Sequence, residues 1–168
     1  ANKIHQRRRG SLALIWIDVD RLKAINDGLG PQAGDAVIAE IGQRLQNLRL
    51  DGKDLLARIG GDEFALLIRN RTDAQTITII ARQIHEAIRE PIRLAGQILN
   101  VSASLGICHL PGNCDRSGDL LRGAEAAMYH AKNLGRAQTT VFDSEIQITA
   151  QSRFALEREL RAAIGNRA

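Results

Sequence analysis

Two acidic clusters carry the chemistry legible in this chain. One is Asp18-Val19-Asp20 near the start; the other is Asp62-Glu63, inside the run Arg58-Ile59-Gly60-Gly61-Asp62-Glu63-Phe64. The first follows Leu12-Ala13-Leu14-Ile15-Trp16-Ile17, an almost unbroken apolar run that reads as a buried strand with its tip pointing carboxylates at one spot. In the second, Gly60 and Gly61 separate two strand-like runs, residues 55–59 and 64–68. They predict a tight hairpin, because glycine accepts the positive φ of primed turns and lets a ligand approach the backbone. Carboxylates from two neighbouring strands are a ligand set suited to Mg²⁺, with substrate phosphates and water completing an octahedron, as metal-assisted phosphoryl transfer requires. Each cluster also has a plainer reading. Asp18 to Asp20 can cap the next helix, and Gly-Gly-Asp-Glu can be a connection with solvated acids.

The elements around these acids follow from hydrophobic periodicity. A helical stretch with Leu22 and Ile25 on one face follows the first strand and ends in the turn-rich Asn26-Asp27-Gly28-Leu29-Gly30-Pro31. A longer helix is predicted over 35–48, with Val37, Ile38, Ile41, Leu45 and Leu48 at helical spacing and Asp35 placed to cap it. After the hairpin, Thr72 or Asp73 caps a third helix whose stripe of Ile77, Ile80, Ala81, Ile84 and Ile88 stops before Pro91. Strands fit 92–94 and 98–107, separated by Ala95-Gly96-Gln97. A helix fits 118–133 with Leu120, Leu121, Ala124, Met128 and Ala131 inward, and 139–142 closes the sheet. The order β-α-α-β-β-α-β-β-α-β implies an α+β sandwich with a mostly antiparallel sheet.

Composition excludes several function classes. With 168 residues and 44% hydrophobic content, the chain suits one compact domain plus an appendage. A net charge of +4 invites a nucleic-acid reading, but the cations are dispersed, and three Phe, one Trp and one Tyr make no stacking platform. The densest basic run, Arg7-Arg8-Arg9, reads as a solvated helix end. Cys108 and Cys114 lack metal-ligand partners at useful spacing and read as two reduced thiols, as expected of a cytoplasmic segment. No apolar run approaches the roughly 20 residues that cross a bilayer, so this segment is not expected to span one, although missing segments can anchor a longer protein.

Five blocks in order resemble the GGDEF family of diguanylate cyclases along nearly all of the chain up to Phe142. They are Asp18-Val19-Asp20-Arg21-Leu22-Lys23-Ala24-Ile25-Asn26-Asp27, then Gly30 with Ala33-Gly34-Asp35, the Arg58 to Phe64 signature, Val101 to Gly106, and Ala124 to Arg136. The resemblance implies a palm-like nucleotide-cyclase fold. It also implies a homodimer in which two GTP molecules condense into cyclic di-GMP with loss of two pyrophosphates, dependent on Mg²⁺ with Mn²⁺ as a substitute.

Carried over position by position, the resemblance makes Asp18 and Asp62 metal-binding carboxylates and gives the Val19 carbonyl to the same ions. Glu63 is implied to act on the attacking 3′-hydroxyl, directly or through a metal, so Asp62 and Glu63 are the catalytic pair. Gly60 and Gly61 let the turn backbone lie against phosphates. Asn26 and Asp35 are implied to read guanine, which suits an amide and a carboxylate facing the N1–H and exocyclic amine. Lys132 and Arg136 are implied to hold the β and γ phosphates, though without the resemblance these two read as cations near a helix C-terminus; Lys23 is implied as a further phosphate contact.

Departures are visible too. Leu22 and Pro31 stand where the family usually has Phe and His, and Asp51-Gly52-Lys53-Asp54 keeps only the acid of the family's Arg-x-x-Asp product site, making feedback inhibition there doubtful. An upstream segment that packs over the nucleotide is not recognisable, so residues 1–143 read as a GGDEF domain with a truncated start. Residues 144–168 carry Phe154, Leu156, Leu160, Ala163 and Ile164 at helical spacing and look like a connector toward a following EAL phosphodiesterase domain; the plainer reading is a helix packing on its own domain. The competing functional expectation is a weak or inactive GTP-binding module that regulates such a fused domain.

Overall fold

The computed structural model describes residues 10–48, 50–114 and 116–165. The strands are β1 (Leu12–Val19), β2 (Leu55–Arg58), β3 (Glu63–Arg69), β4 (Ile92–Leu94), β5 (Gln97–Leu99), β6 (Ala103–Leu110) and β7 (Thr139–Val141). The helices are α1 (Leu22–Leu29), α2 (Pro31–Gln46), α3 (Ala74–Arg89), α4 (Ser117–Asn133) and α5 (Ser144–Gly165). Arg7-Arg8-Arg9 lies outside the described residues.

Five strands form one sheet in the order β2-β3-β1-β6-β7, antiparallel except for the parallel pair β6–β7. The acid-tipped strand is therefore central. Its near-continuous apolar run is explained by burial on both faces. Ala13, Ile15, Ile17 and Val19 face a core shared with α2 and α3, while Leu14 and Trp16 face a second core built with α4. Asp18 and Asp20 continue the parity of the α4 side beyond Trp16. The α+β class and mostly antiparallel sheet expected from the element order are borne out.

Several local expectations are corrected. The predicted strand over 98–107 breaks at Asn100-Val101-Ser102, so that β5 pairs with β4 in a separate small hairpin and β6 enters the main sheet. The helix expected over 35–48 begins at Pro31, because proline's fixed φ suits the first helical turn and Gly30, at φ 90°, ends α1 just before it. Asp35 thus lies inside α2 on an exposed turn and is not its cap. Asp73, of the two candidates, caps α3, its carboxylate accepting from Thr76 N at 2.9 Å. Leu121 is exposed, whereas Leu120, Ala124, Met128 and Ala131 are buried as expected. No described helix is long and apolar enough to cross a membrane.

Candidate active site

Register places the acids. Asp18 pairs across the sheet with Glu63 on β3 and with Ser104 on β6, and Val19 N donates to Asp62 O at 2.9 Å. Directly opposed residues of an antiparallel pair project from the same face, so Asp18 and Glu63 leave the sheet together. The α4 face also supplies Lys132, whose Nζ lies 2.7 Å from Asp18 Oδ2. Glu63 is steadied from the neighbouring strand: Trp16 Nε1 donates to its Oε1 at 3.2 Å.

The Asp62-Glu63 turn is not the primed hairpin expected from Gly60-Gly61. Neither glycine has a positive φ, and the wider loop is closed by Ile59 N donating to Glu63 O at 2.8 Å. Arg58 supplies what the glycines do not, donating from Nε to Gly60 O and from its guanidinium to Gly61 O at 3.1 and 2.8 Å. Nothing in the type or spacing of Arg58 in the sequence announces this contact, which depends on the loop geometry. The glycines matter for access: a Cβ added at Gly61 would meet no atom within 4 Å, leaving that backbone open to a ligand.

Asp18 is 3% exposed, and its Oδ1 is buried without a hydrogen-bond partner. Burial pushes its carboxyl up to about 6 from 3.8; Lys132 opposes that shift, and the charges of Asp62 and Glu63 add to it. An unpaired carboxylate oxygen beside two more acids is an unmet demand for positive charge. Among the described residues, no three carboxylate, imidazole or thiolate groups close into a ready cage. The donor set of Asp18, Asp62 and the Val19 carbonyl therefore fits a hard cation that takes its remaining ligands from substrate and water.

Asp20 does not join Asp18. Its carboxylate is occupied by Ser104 Oγ, Ser102 Oγ and Ala137 N at 2.7, 2.7 and 3.1 Å, so the expectation that both acids point at one spot is overturned by these three donors. It caps no helix either: α1 begins after Arg21, which makes no side-chain cap bond.

The base-reading candidates meet at the α1–α2 junction. The Asn26 carboxamide lies against the backbone of Gly34, next to Asp35, and its Oδ1 is buried with no partner. A Cβ at Gly34 would stand 1.8 Å from that oxygen. On the expectation that Asn26 reads guanine, Gly34→Ala should expel the Asn26 side chain and weaken GTP binding about 10-fold, with divalent-cation binding expected at the sheet tip unchanged. Calorimetry with each ligand checks both halves of this expectation. Lys23, on α1, and Arg136, beyond α4, are exposed, and the structure draws neither onto the carboxylates as it does Lys132. Asp54 is consumed internally, accepting from Asp51 N, Arg69 N and the Arg71 guanidinium at 3.1, 3.1 and 2.5 Å.

The chain is similar to known proteins in sequence and in structure. Residues 1–138 match the family model described as "Diguanylate cyclase, GGDEF domain". The chain is 37% identical over 92% of its length to the bifunctional diguanylate cyclase/cyclic di-GMP phosphodiesterase MucR of Pseudomonas aeruginosa. It is 32% identical over 94% of its length to the cyclic di-GMP phosphodiesterase NbdA of the same organism. It spans 22% and 20% of those two relatives. A solved structure comprising only the GGDEF domain of TpbB (YfiN), also from P. aeruginosa, superposes with a TM-score of 0.80 at 38% identity, covering 85% of this chain and 83% of that one.

Proposed function

This chain belongs to the GGDEF family of diguanylate cyclase domains, and from that premise we propose that it condenses two GTP molecules into cyclic di-GMP in a homodimer, each protomer holding one nucleotide. The observation that supports this most is the buried, unpartnered Oδ1 of Asp18 beside Asp62 and Glu63. Asp18, Asp62, Glu63 and the Val19 carbonyl would hold Mg²⁺ or Mn²⁺. When bound, such an ion would supply Lewis-acid stabilisation of the charge that develops at the α-phosphate as the 3′-oxygen attacks and pyrophosphate leaves.

The chain's own groups do the rest. Trp16 occupies Glu63 Oε1, leaving Oε2 to take the proton of the attacking 3′-hydroxyl. Lys132, paired with Asp18 at the sheet tip, is placed to turn toward phosphate oxygens, and Arg136 and Lys23 add charge along the β and γ phosphates. The backbone of Gly60 and Gly61, open at Gly61, lies along the phosphates. The unpaired Asn26 Oδ1 accepts from guanine, and Asp35 accepts from its N1–H and amine; a base lacking those donors forfeits about 1 to 3 kcal/mol. Residues 144–165, beyond the family match, form α5, with Leu156, Leu160 and Ile164 exposed, and serve as a connector to a following domain such as an EAL phosphodiesterase.

Cyclic di-GMP formation from GTP and Mg²⁺ across a protein-concentration series tests the reading. A rate rising faster than linearly with protein is expected. Saturable GTP binding without product would instead favour a regulatory module, a reading to which the resemblance to NbdA lends weight.

A further inference from the structure

Asp20 occupies a position that the proposed chemistry does not use. It is 5% exposed, two residues beyond Asp18, and its carboxylate joins the end of β1 to two other parts of the chain, the start of β6 and the turn after α4. Oδ1 accepts from Ser104 Oγ on β6, while Oδ2 accepts from Ser102 Oγ just before β6 and from Ala137 N after α4. Two of these donors are hydroxyls that can rotate to other partners. The third, a backbone N–H, cannot.

That N–H belongs to an unusual turn. Gly135, Arg136 and Ala137 have φ of 123°, 66° and 52°, so two consecutive non-glycine residues sit in the left-handed region. Such backbone persists only where its surroundings over-determine it, and it concentrates at functional sites. The helix end fixes one side of the turn, with Arg136 N donating to Ala131 O at 3.1 Å. Arg89 donates to Ala137 O at 3.1 Å, and Leu105 N donates to Gln138 O at 2.9 Å. Among these restraints only Asp20, the residue after β1, ties the turn to the strand that carries Asp18. Asp20, Arg136 and Ala137 also line one cavity of 540 Å³ beside α1, together with Arg21.

We propose that Asp20 is a positioning residue for phosphate binding: by holding Ala137 N it sets the strained turn that carries Arg136 at a fixed reach from Asp18, and so aligns the terminal phosphates with the metal-binding acids. This rests on the reading of Arg136 as a phosphate contact. Asp20 itself touches neither substrate nor metal. Its effect is confined to the β and γ phosphates, because the guanine contacts at Asn26 and Asp35 lie on α1 and α2, whose hydrogen bonds do not involve it.

The test compares affinities for GTP and GMP in Asp20→Ala and Asp20→Asn, with Arg136→Ala as the benchmark. Asp20→Ala is expected to weaken GTP about 10-fold and GMP less than about 2-fold, reproducing the pattern of Arg136→Ala. Asp20→Asn is expected to recover most of the loss, since one amide oxygen can still accept from Ala137 N while its NH₂ donates to Ser104 Oγ. Equal losses for the two nucleotides, or a lowered melting temperature with both affinities intact, would make Asp20 merely structural and overturn the proposal. If Asp20→Ala does not fold, Ser102→Ala decides: a GTP-selective loss of about 3-fold or more supports the proposal, and no selectivity overturns it. Wild-type protein that binds neither nucleotide would overturn the functional reading itself, and the proposal with it. A GTP-binding wild type whose Asp20 variants show no selectivity overturns the proposal alone.

Discussion

Replacing Asp18 by Asn should slow turnover on the order of 10³-fold and yet make the ligand-free domain more stable at neutral pH, by about 1 to 3 kcal/mol. The first effect follows from losing an anionic ligand at the sheet tip. The second follows from the cost of ionising a buried acid whose carboxyl is pushed up to about 6 in the folded protein, against 3.8 ordinarily. Between these values the folded chain binds more protons than the unfolded chain, so stability falls as pH rises from about 4 to about 6 and the whole penalty is present above that range. Wild type and Asp18→Asn should therefore converge near pH 4 and separate near pH 7.5 in urea denaturation. Lys132 keeps 24% side-chain exposure, so it can turn to water when its partner becomes neutral. Added Mg²⁺ should stabilise wild type at pH 7.5 and leave the variant unchanged. A variant less stable than wild type at pH 7.5 would mean that the Lys132 pair outweighs the burial penalty. Stability exchanged for function in this way is common where charges are gathered to meet a ligand.

Gly106→Ala is the other large effect, and it acts through packing. Gly106 lies at the middle of β6, opposite Trp16, where α4 crosses the sheet. A Cβ there would stand 2.0 Å from Ala124 O and 2.1 Å from Met128 N, both helix backbone that cannot turn aside. The whole of α4 would have to lift. Overpacking of this kind costs typically about 1 to 3 kcal/mol and more where the obstacle is backbone, so a loss of about 3 kcal/mol or more is expected by denaturant titration. Because α4 carries Lys132, whatever folded protein remains should also lose GTP affinity. A variant of wild-type stability would show that the helix is not seated on β6 at this residue.

Much of the site was legible before any coordinates because its chemistry is written in side-chain type. The run from Leu12 to Ile17 had to be a buried strand, and Asp18 at its end had to sit at the sheet tip. The paired carboxylates of Asp62 and Glu63, the Asn26 and Asp35 positions expected to read guanine and the cations Lys132 and Arg136 stood in the order of a known family. The α+β class followed from periodicity, since strands and helices bury their apolar faces with different repeats, although the single strand read over 98–107 is two strands in separate sheets.

What sequence left open depends on backbone geometry and on contacts distant along the chain. Asp18 and Asp20 are the same residue type two positions apart, yet one is left with an unpaired oxygen and the other is saturated by Ser102, Ser104 and Ala137. No local pattern announces donors more than 80 residues away. Gly60 and Gly61 looked like positive-φ turn residues, but a loop closed by Ile59 N and Glu63 O and held by Arg58 needs no such conformation. The requirement for glycine fell instead at Gly34 and Gly106, where the Asn26 side chain and the α4 backbone come too close for any Cβ. Residue type determines which groups can bind a cation or a phosphate. Which of them are free to do so is decided by the neighbours that tertiary folding brings, because a buried polar atom takes any partner within reach.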